Sequence, residues 1–114
     1  MTNSIGEIPN ADVLLVIGSN ATEAHPIIGL KMKQAVRNGA RLIVADPRKI
    51  WLTKIAHLHL PLRPGTDLAL INAIANVILS EGLEDKAFIA ARTEGFEEFA
   101  KTVEKWTPER AAEI

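Results

Sequence analysis

Cysteine is absent from the 114-residue chain. That excludes a disulfide framework, a cysteine-ligated zinc site, an iron–sulfur cluster and a cysteine nucleophile within this segment. A surplus of either charge is also absent, with 13 Lys and Arg against 14 Asp and Glu and a net charge of −1. Such a balance gives no long-range field to draw the chain to nucleic acid or to an anionic membrane, so a bound anion must be held by local donors. Long hydrophobic runs are missing too. The longest, Leu68 to Leu79, is interrupted and too short to cross a bilayer, and the polar N-terminus carries no signal-peptide pattern. The expectation is a cytoplasmic segment without membrane contact. No Ser/His/Asp set or carboxylate pair marks a local catalytic centre, and no internal repeat or low-complexity stretch is present.

What remains is of ordinary globular composition, 47% hydrophobic and 24% charged, enough for one domain with a modest core. Asp12 to Gly18 is a continuous apolar, β-branched run ended by glycine, which predicts a strand buried on both faces as in a parallel sheet. Pro26 suits a first helical position, Ile28, Met32, Ala35 and Val36 share one helical face, and Asn38-Gly39 supplies the stop. Arg41 to Asp46 repeats the strand pattern, completing a strand–helix–strand unit. His57 to Leu60 predicts a third strand ended by Pro61. Thr66 is a candidate cap for a helix from about Asp67 to Glu81, apolar nearly all round and therefore predicted as buried and central. Shorter helices follow from Asp85 to Arg92 and from a cap at Thr93, the latter placing Phe96, Phe99, Val103 and Trp106 on one face. Thr107-Pro108-Glu109 starts another helix near the C-terminus, and Ile5 and Ile8 have nothing upstream to pack on. Both ends read as interior points of a longer chain.

Three loops carry candidate chemistry. Gly18-Ser19-Asn20 and the following Glu23 and His25 lie where a parallel strand feeds a helix, the place where open α/β sheets bind phosphates. Glycine permits close backbone approach, and Ser and Asn add donors. The dinucleotide pattern G-x-G-x-x-G is not met, because Asn20 and Glu23 stand where its later glycines belong. Asp46-Pro47-Arg48 ends the second strand, where an acid commonly accepts from ribose hydroxyls and an arginine reaches a phosphate or stacks on a base. Gly65-Thr66-Asp67 opens a helix, and its carboxylate suits the donor edge of guanine. Each loop also has a plain structural reading as a turn, an ion pair or a helix cap. His57 and His59 fall two apart on a strand, but without cysteine or a well-spaced acid they make a poor metal pair.

In order along the chain, Met1-Thr2-Asn3-Ser4-Ile5, Ala11-Asp12 into Val16-Ile17-Gly18-Ser19-Asn20, His25-Pro26, Val44-Ala45-Asp46-Pro47-Arg48, Pro64-Gly65-Thr66-Asp67-Leu68-Ala69-Leu70 and Arg92-Thr93-Glu94-Gly95-Phe96-Glu97 resemble the molybdopterin oxidoreductase family. The last stretch resembles formate dehydrogenase α subunits. The resemblance implies a domain spanning residues 1–114, excised from a larger oxidoreductase, that binds molybdopterin guanine dinucleotide. By the same resemblance Gly18, Ser19, Asn20 and Glu23 lie on the pyrophosphate, Asp46, Pro47 and Arg48 at the guanosine ribose, and Gly65, Thr66 and Asp67 at the guanine. It also implies a molybdenum or tungsten ion and a 4Fe-4S cluster held elsewhere in the parent, with the remaining parent domains and electron-transfer subunits as partners. No catalytic or metal-binding residue is expected here. The expected fold is α/β, a three-layer, Rossmann-like sandwich with a short, mostly parallel sheet. Alternatives are a nitrate reductase of the same family, the central domain of a thiamine-diphosphate enzyme, which shares the Ala11-to-Ser19 pattern but not the later loops, and a non-catalytic interaction module.

Overall fold

The computed structural model describes residues 3–114; Met1 and Thr2, which open the resembling segment, lie outside the described residues. The fold is α/β with a short open sheet of three parallel strands. The chain divides into two compact units, Met1–Leu62 and Arg63–Ile114.

The first unit holds the sheet: β1 (Val13–Ile17), β2 (Arg41–Ala45) and β3 (Leu58–Leu60), in the order β1-β2-β3. A four-residue helix α1 (Ala21–Ala24) and the longer α2 (Pro26–Arg37) join the first two strands. Pro26 stands in the first turn of α2, and Gly39 at φ +103° ends it, both as the sequence predicts. A short 3-10 helix, Trp51–Lys54, lies between β2 and β3. Val13 pairs with Arg41 and Val16 with Val44, while Val44 pairs with His59. Because side chains alternate along a strand, Leu14, Val16, Leu42, Val44 and His59 share one face. The core is built there: Val16, Leu42, Val44, Ala21, Ile50 and Leu52 are buried, and Ile28, Met32 and Val36 of α2 pack on them.

The opposite face departs from expectation. Val13, Leu15 and Leu58 are exposed, so β1 is buried on one face rather than two. The physical reason is that α2 and the core cluster gather on the other side of the pleat, leaving these three side chains without cover.

The second unit is helical: α3 (Asp67–Ser80), α4 (Lys86–Arg92), α5 (Phe96–Glu104) and α6 (Pro108–Glu113). Helix α3 has the predicted length and stops before Gly82 at φ +65°. Its burial is narrower than predicted. Ala69 and Ala73 are buried, but Leu68, Ile71 and Ile78 are exposed. Asn76 Nδ2 donates to the carbonyls of Val103 at 3.0 Å and Glu104 at 3.2 Å, satisfying orphan acceptors at the end of α5. Asp85 caps α4 by accepting from Phe88 N at 2.9 Å, and Thr107 caps α6 by accepting from Arg110 N. Two predicted caps fail. Thr66 donates its hydroxyl to Arg63 O at 2.7 Å and Thr93 donates to Ile89 O at 2.7 Å, and neither oxygen accepts from the helix that follows. Helix α5 starts instead from Gly95 at φ +70°. On its inner face Val103 is buried, whereas Phe99 is exposed.

Candidate cofactor site

Parallel strands set side by side bring their carboxyl ends, and the loops that leave them, to one edge. Gly18 N donates to Ala45 O at 3.0 Å, so the loop leaving β1 begins against the last residue of β2. Gly18 adopts φ +56°, a left-handed conformation that favours glycine, with open space where a Cβ would stand. Asn20 then precedes α1 without capping it. Its side-chain Oδ1, and Thr22 Oγ1 two residues on, are buried without a hydrogen-bond partner. Unpaired buried polar atoms cost about 1–3 kcal/mol each, and two of them cluster in the loop predicted to hold phosphate. Helix α2 reaches this region through Gly29, where a Cβ would lie 3.1 Å from Ala21 O and from Thr22 Cα. Gly29 was not among the predicted site residues. The signal available in the sequence was a glycine inside an otherwise helical pattern, which commonly marks close packing.

At the end of β2, Asp46 is 1% exposed. Its Oδ1 accepts from Arg48 N at 2.8 Å and Arg48 Nε at 3.0 Å, and its Oδ2 accepts from Arg48 Nη2 at 3.1 Å. These bonds from Arg48 hold the Asp46 carboxyl below its ordinary range, against a smaller opposing effect of burial. The Arg48 guanidinium is held above its ordinary value by Asp46, with a further contribution from the charge of Glu23. His59 Nε2 lies 2.8 Å from Asp46 O; a carbonyl only accepts, so this nitrogen carries the proton. His57 Nδ1 lies 3.1 Å from Leu42 N and accepts from it. Each histidine ring therefore serves a different backbone group, and no cluster of three or more metal-ligating side chains occurs among the described residues.

Gly65-Thr66-Asp67 belongs to the second unit. Gly65 takes φ +84° with open space around it, and Asp67 is the first residue of α3. Neither ion pair among the described residues involves Asp67. In the same unit an open hollow at the α4–α5 turn is bordered by Thr93, Glu94, Gly95, Phe96, Glu97 and Glu98. None of the predicted cofactor residues lines it, and its three carboxylates disfavour an anion.

A family model described as molybdopterin oxidoreductase matches residues 1–106. The chain belongs to the molybdopterin oxidoreductase family. Membership implies a molybdopterin cofactor and an oxidoreductase origin. Formate dehydrogenase H of Escherichia coli (strain K12) is 50% identical over 114 residues, covering 100% of this chain and 16% of that protein. Nitrate reductase of Symbiobacterium thermophilum is 42% identical over 121 residues, covering 97% of this chain and 16% of that protein. Among solved structures, acetylene hydratase from Pelobacter acetylenicus superposes with a TM-score of 0.84 at 38% identity, covering 91% of this chain and 14% of that one. The chain thus spans about one-sixth of the length of these curated relatives. Relatives named for such different reactions share this segment, so the segment alone does not set the reaction. The first unit's donors fit a phosphate-bearing molybdopterin: the open backbone of the Gly18 turn, the unpaired Thr22 hydroxyl, and a solvent-facing arginine after β2; Asn20 Oδ1 only accepts and is not one of them.

Proposed function

We propose that this segment holds the guanine dinucleotide form of the molybdopterin cofactor in a molybdenum- or tungsten-dependent formate dehydrogenase. Such an enzyme converts formate to carbon dioxide and passes electrons to an iron–sulfur cluster carried outside this segment. The support for formate over nitrate is graded identity, 50% to the formate enzyme against 42% to the nitrate reductase. The bound group supplies the redox chemistry. The chain's own residues bind and orient it.

In this proposal Gly18, Ser19, Asn20 and Glu23 form the loop on the pyrophosphate. Gly18 lets the backbone come close, while Ser19, Asn20 and Thr22 offer side-chain polar atoms. Pro47 shapes the turn that carries Arg48, whose guanidinium supplies positive charge at the carboxyl end of β2. Gly65, Thr66 and Asp67 are proposed for the guanine, the carboxylate of Asp67 accepting from its N1–H and amino group. The observation that carries the proposal is the pairing of an open Gly18 turn with the unpaired buried Thr22 hydroxyl just past the carboxyl end of β1.

Purification of the full-length protein containing this segment, followed by acid hydrolysis and chromatography of the released nucleotide, tests the cofactor. Release of GMP is expected; recovery of a pterin without guanine rejects the dinucleotide form. Formate-dependent dye reduction by the same preparation tests the substrate, and nitrate-dependent turnover without formate activity would assign the segment to the nitrate branch.

A further inference from the structure

The sequence pattern suggests that the acid ending β2 meets ribose hydroxyls directly. The geometry points to another role. Asp46 is 1% exposed, and both of its carboxylate oxygens are already engaged by Arg48, three bonds in all counting the backbone amide. Arg48, two residues on, has a side chain 64% exposed. A guanidinium carries five N–H donors. Asp46 takes the inner edge, Nε and one hydrogen of Nη2, which leaves Nη1 and the outer hydrogen of Nη2 facing away from the carboxylate.

We infer that Asp46 does not touch the bound nucleotide but is a positioning residue, holding Arg48 so that its outer edge takes an anionic oxygen of the ligand. The inference rests on the cofactor proposal above for the identity of that ligand. The turn is fixed from both sides: the Asp46 side chain grips Arg48, and His59 Nε2–H donates to the Asp46 carbonyl at 2.8 Å. Pro47 between them restricts φ and so limits how far the turn can open. A bidentate carboxylate–arginine pair has a defined plane, so it orders a long side chain before the ligand arrives and reduces the entropy lost on binding. Lysine cannot substitute for this, having no planar fork to grip.

The test uses nitrogen-15 NMR of the 114-residue chain with GDP as the probe, in wild type, D46N, R48Q and the double variant. Without ligand, the Arg48 Nε–H resonance is expected to be resolved and slow to exchange in wild type and averaged in D46N. With GDP, D46N and R48Q are each expected to bind about tenfold more weakly, the size of one charge-assisted contact. The double variant is expected to bind no more weakly than R48Q, because Asp46 acts only through Arg48. Losses that multiply in the double variant overturn the inference and make Asp46 a direct ligand. If wild type shows no GDP binding, the cofactor proposal falls; the ligand-free Arg48 signal then decides the positioning claim, and its persistence in D46N overturns it. Where D46N loses spectral dispersion, Asp46→Glu replaces it. This variant keeps a carboxylate but displaces Arg48, so it should weaken GDP as D46N does, whereas wild-type affinity in Asp46→Glu contradicts a positioning role.

Discussion

Replacing Gly29 by alanine sets two opposed effects of similar size against each other. In an exposed helix interior the change gains about 1 kcal/mol of helix propensity. Here the new Cβ would meet Ala21 O and Thr22 Cα at 3.1 Å and Ala21 C at 3.3 Å, all backbone atoms of α1. Backbone cannot rotate away as a side-chain tip can, so α1 must shift by a few tenths of an ångström. Overpacking of this kind costs about 1–3 kcal/mol, leaving Gly29→Ala between neutral and about 2 kcal/mol destabilising once the propensity gain is subtracted. Gly29→Val adds methyl groups to the same gap and surrenders part of the helix gain, so its net loss should be about 2 kcal/mol or more. Since Ala21 and Thr22 follow directly on the Gly18-Ser19-Asn20 loop, both variants should also weaken GDP binding. Urea denaturation followed by circular dichroism gives the stabilities, and amide shifts at Ala21 and Thr22 report the displacement. Gly29→Ala stabilised by the full 1 kcal/mol, with those shifts unchanged, would refute the reasoning.

Other consequences are equally direct. Gly18→Ala forces a Cβ onto φ +56° with nothing nearby to clash, so it should cost about 1–2 kcal/mol from backbone strain alone, and Gly18→Asn less, as urea midpoints will show. Asn76→Leu strands the Val103 and Glu104 carbonyls and should cost about 1–2 kcal/mol, with faster amide exchange at the C-terminal turn of α5 as its signature. The Asp46 carboxyl is lowered from 3.8 by the bonds from Arg48. A lowered folded value means its contribution is complete above the unfolded value and lost as pH falls through the folded one. Stability should therefore drop as pH falls below about 4, and Asp46→Asn should flatten that acid limb; an unchanged limb in the variant contradicts the assignment.

Much of the backbone was legible because its signals are local. A β-branched run ended by Gly18, Pro26 at a helix start, Gly39 at a helix stop, and the helix starts at Asp85 and Thr107 each act through neighbouring residues, and each appears where the sequence placed it. Burial was less legible. Apolarity told that Val13, Leu15, Leu68 and Ile71 are hydrophobic, but burial requires a covering surface, and here these side chains are exposed. Thr66 and Thr93 show a related limit: a hydroxyl suited to capping can equally donate backwards to a preceding carbonyl, and it does so in both cases. At the site, the sequence located the loops but not their internal chemistry. That Asp46 spends its oxygens on Arg48, that His59 steadies the Asp46 carbonyl, and that Gly29 admits α1 all depend on contacts across the fold.

Binding of the guanine nucleotide is tested most directly by titrating the nitrogen-15-labelled chain with GDP and, in parallel, with ADP. Chemical-shift changes are expected for GDP at Gly18 to Glu23, at Asp46 to Arg48 and at Gly65 to Asp67, with ADP perturbing only the first two groups. Shifts scattered elsewhere, or identical responses to both nucleotides at Gly65 to Asp67, would contradict guanine recognition by this chain.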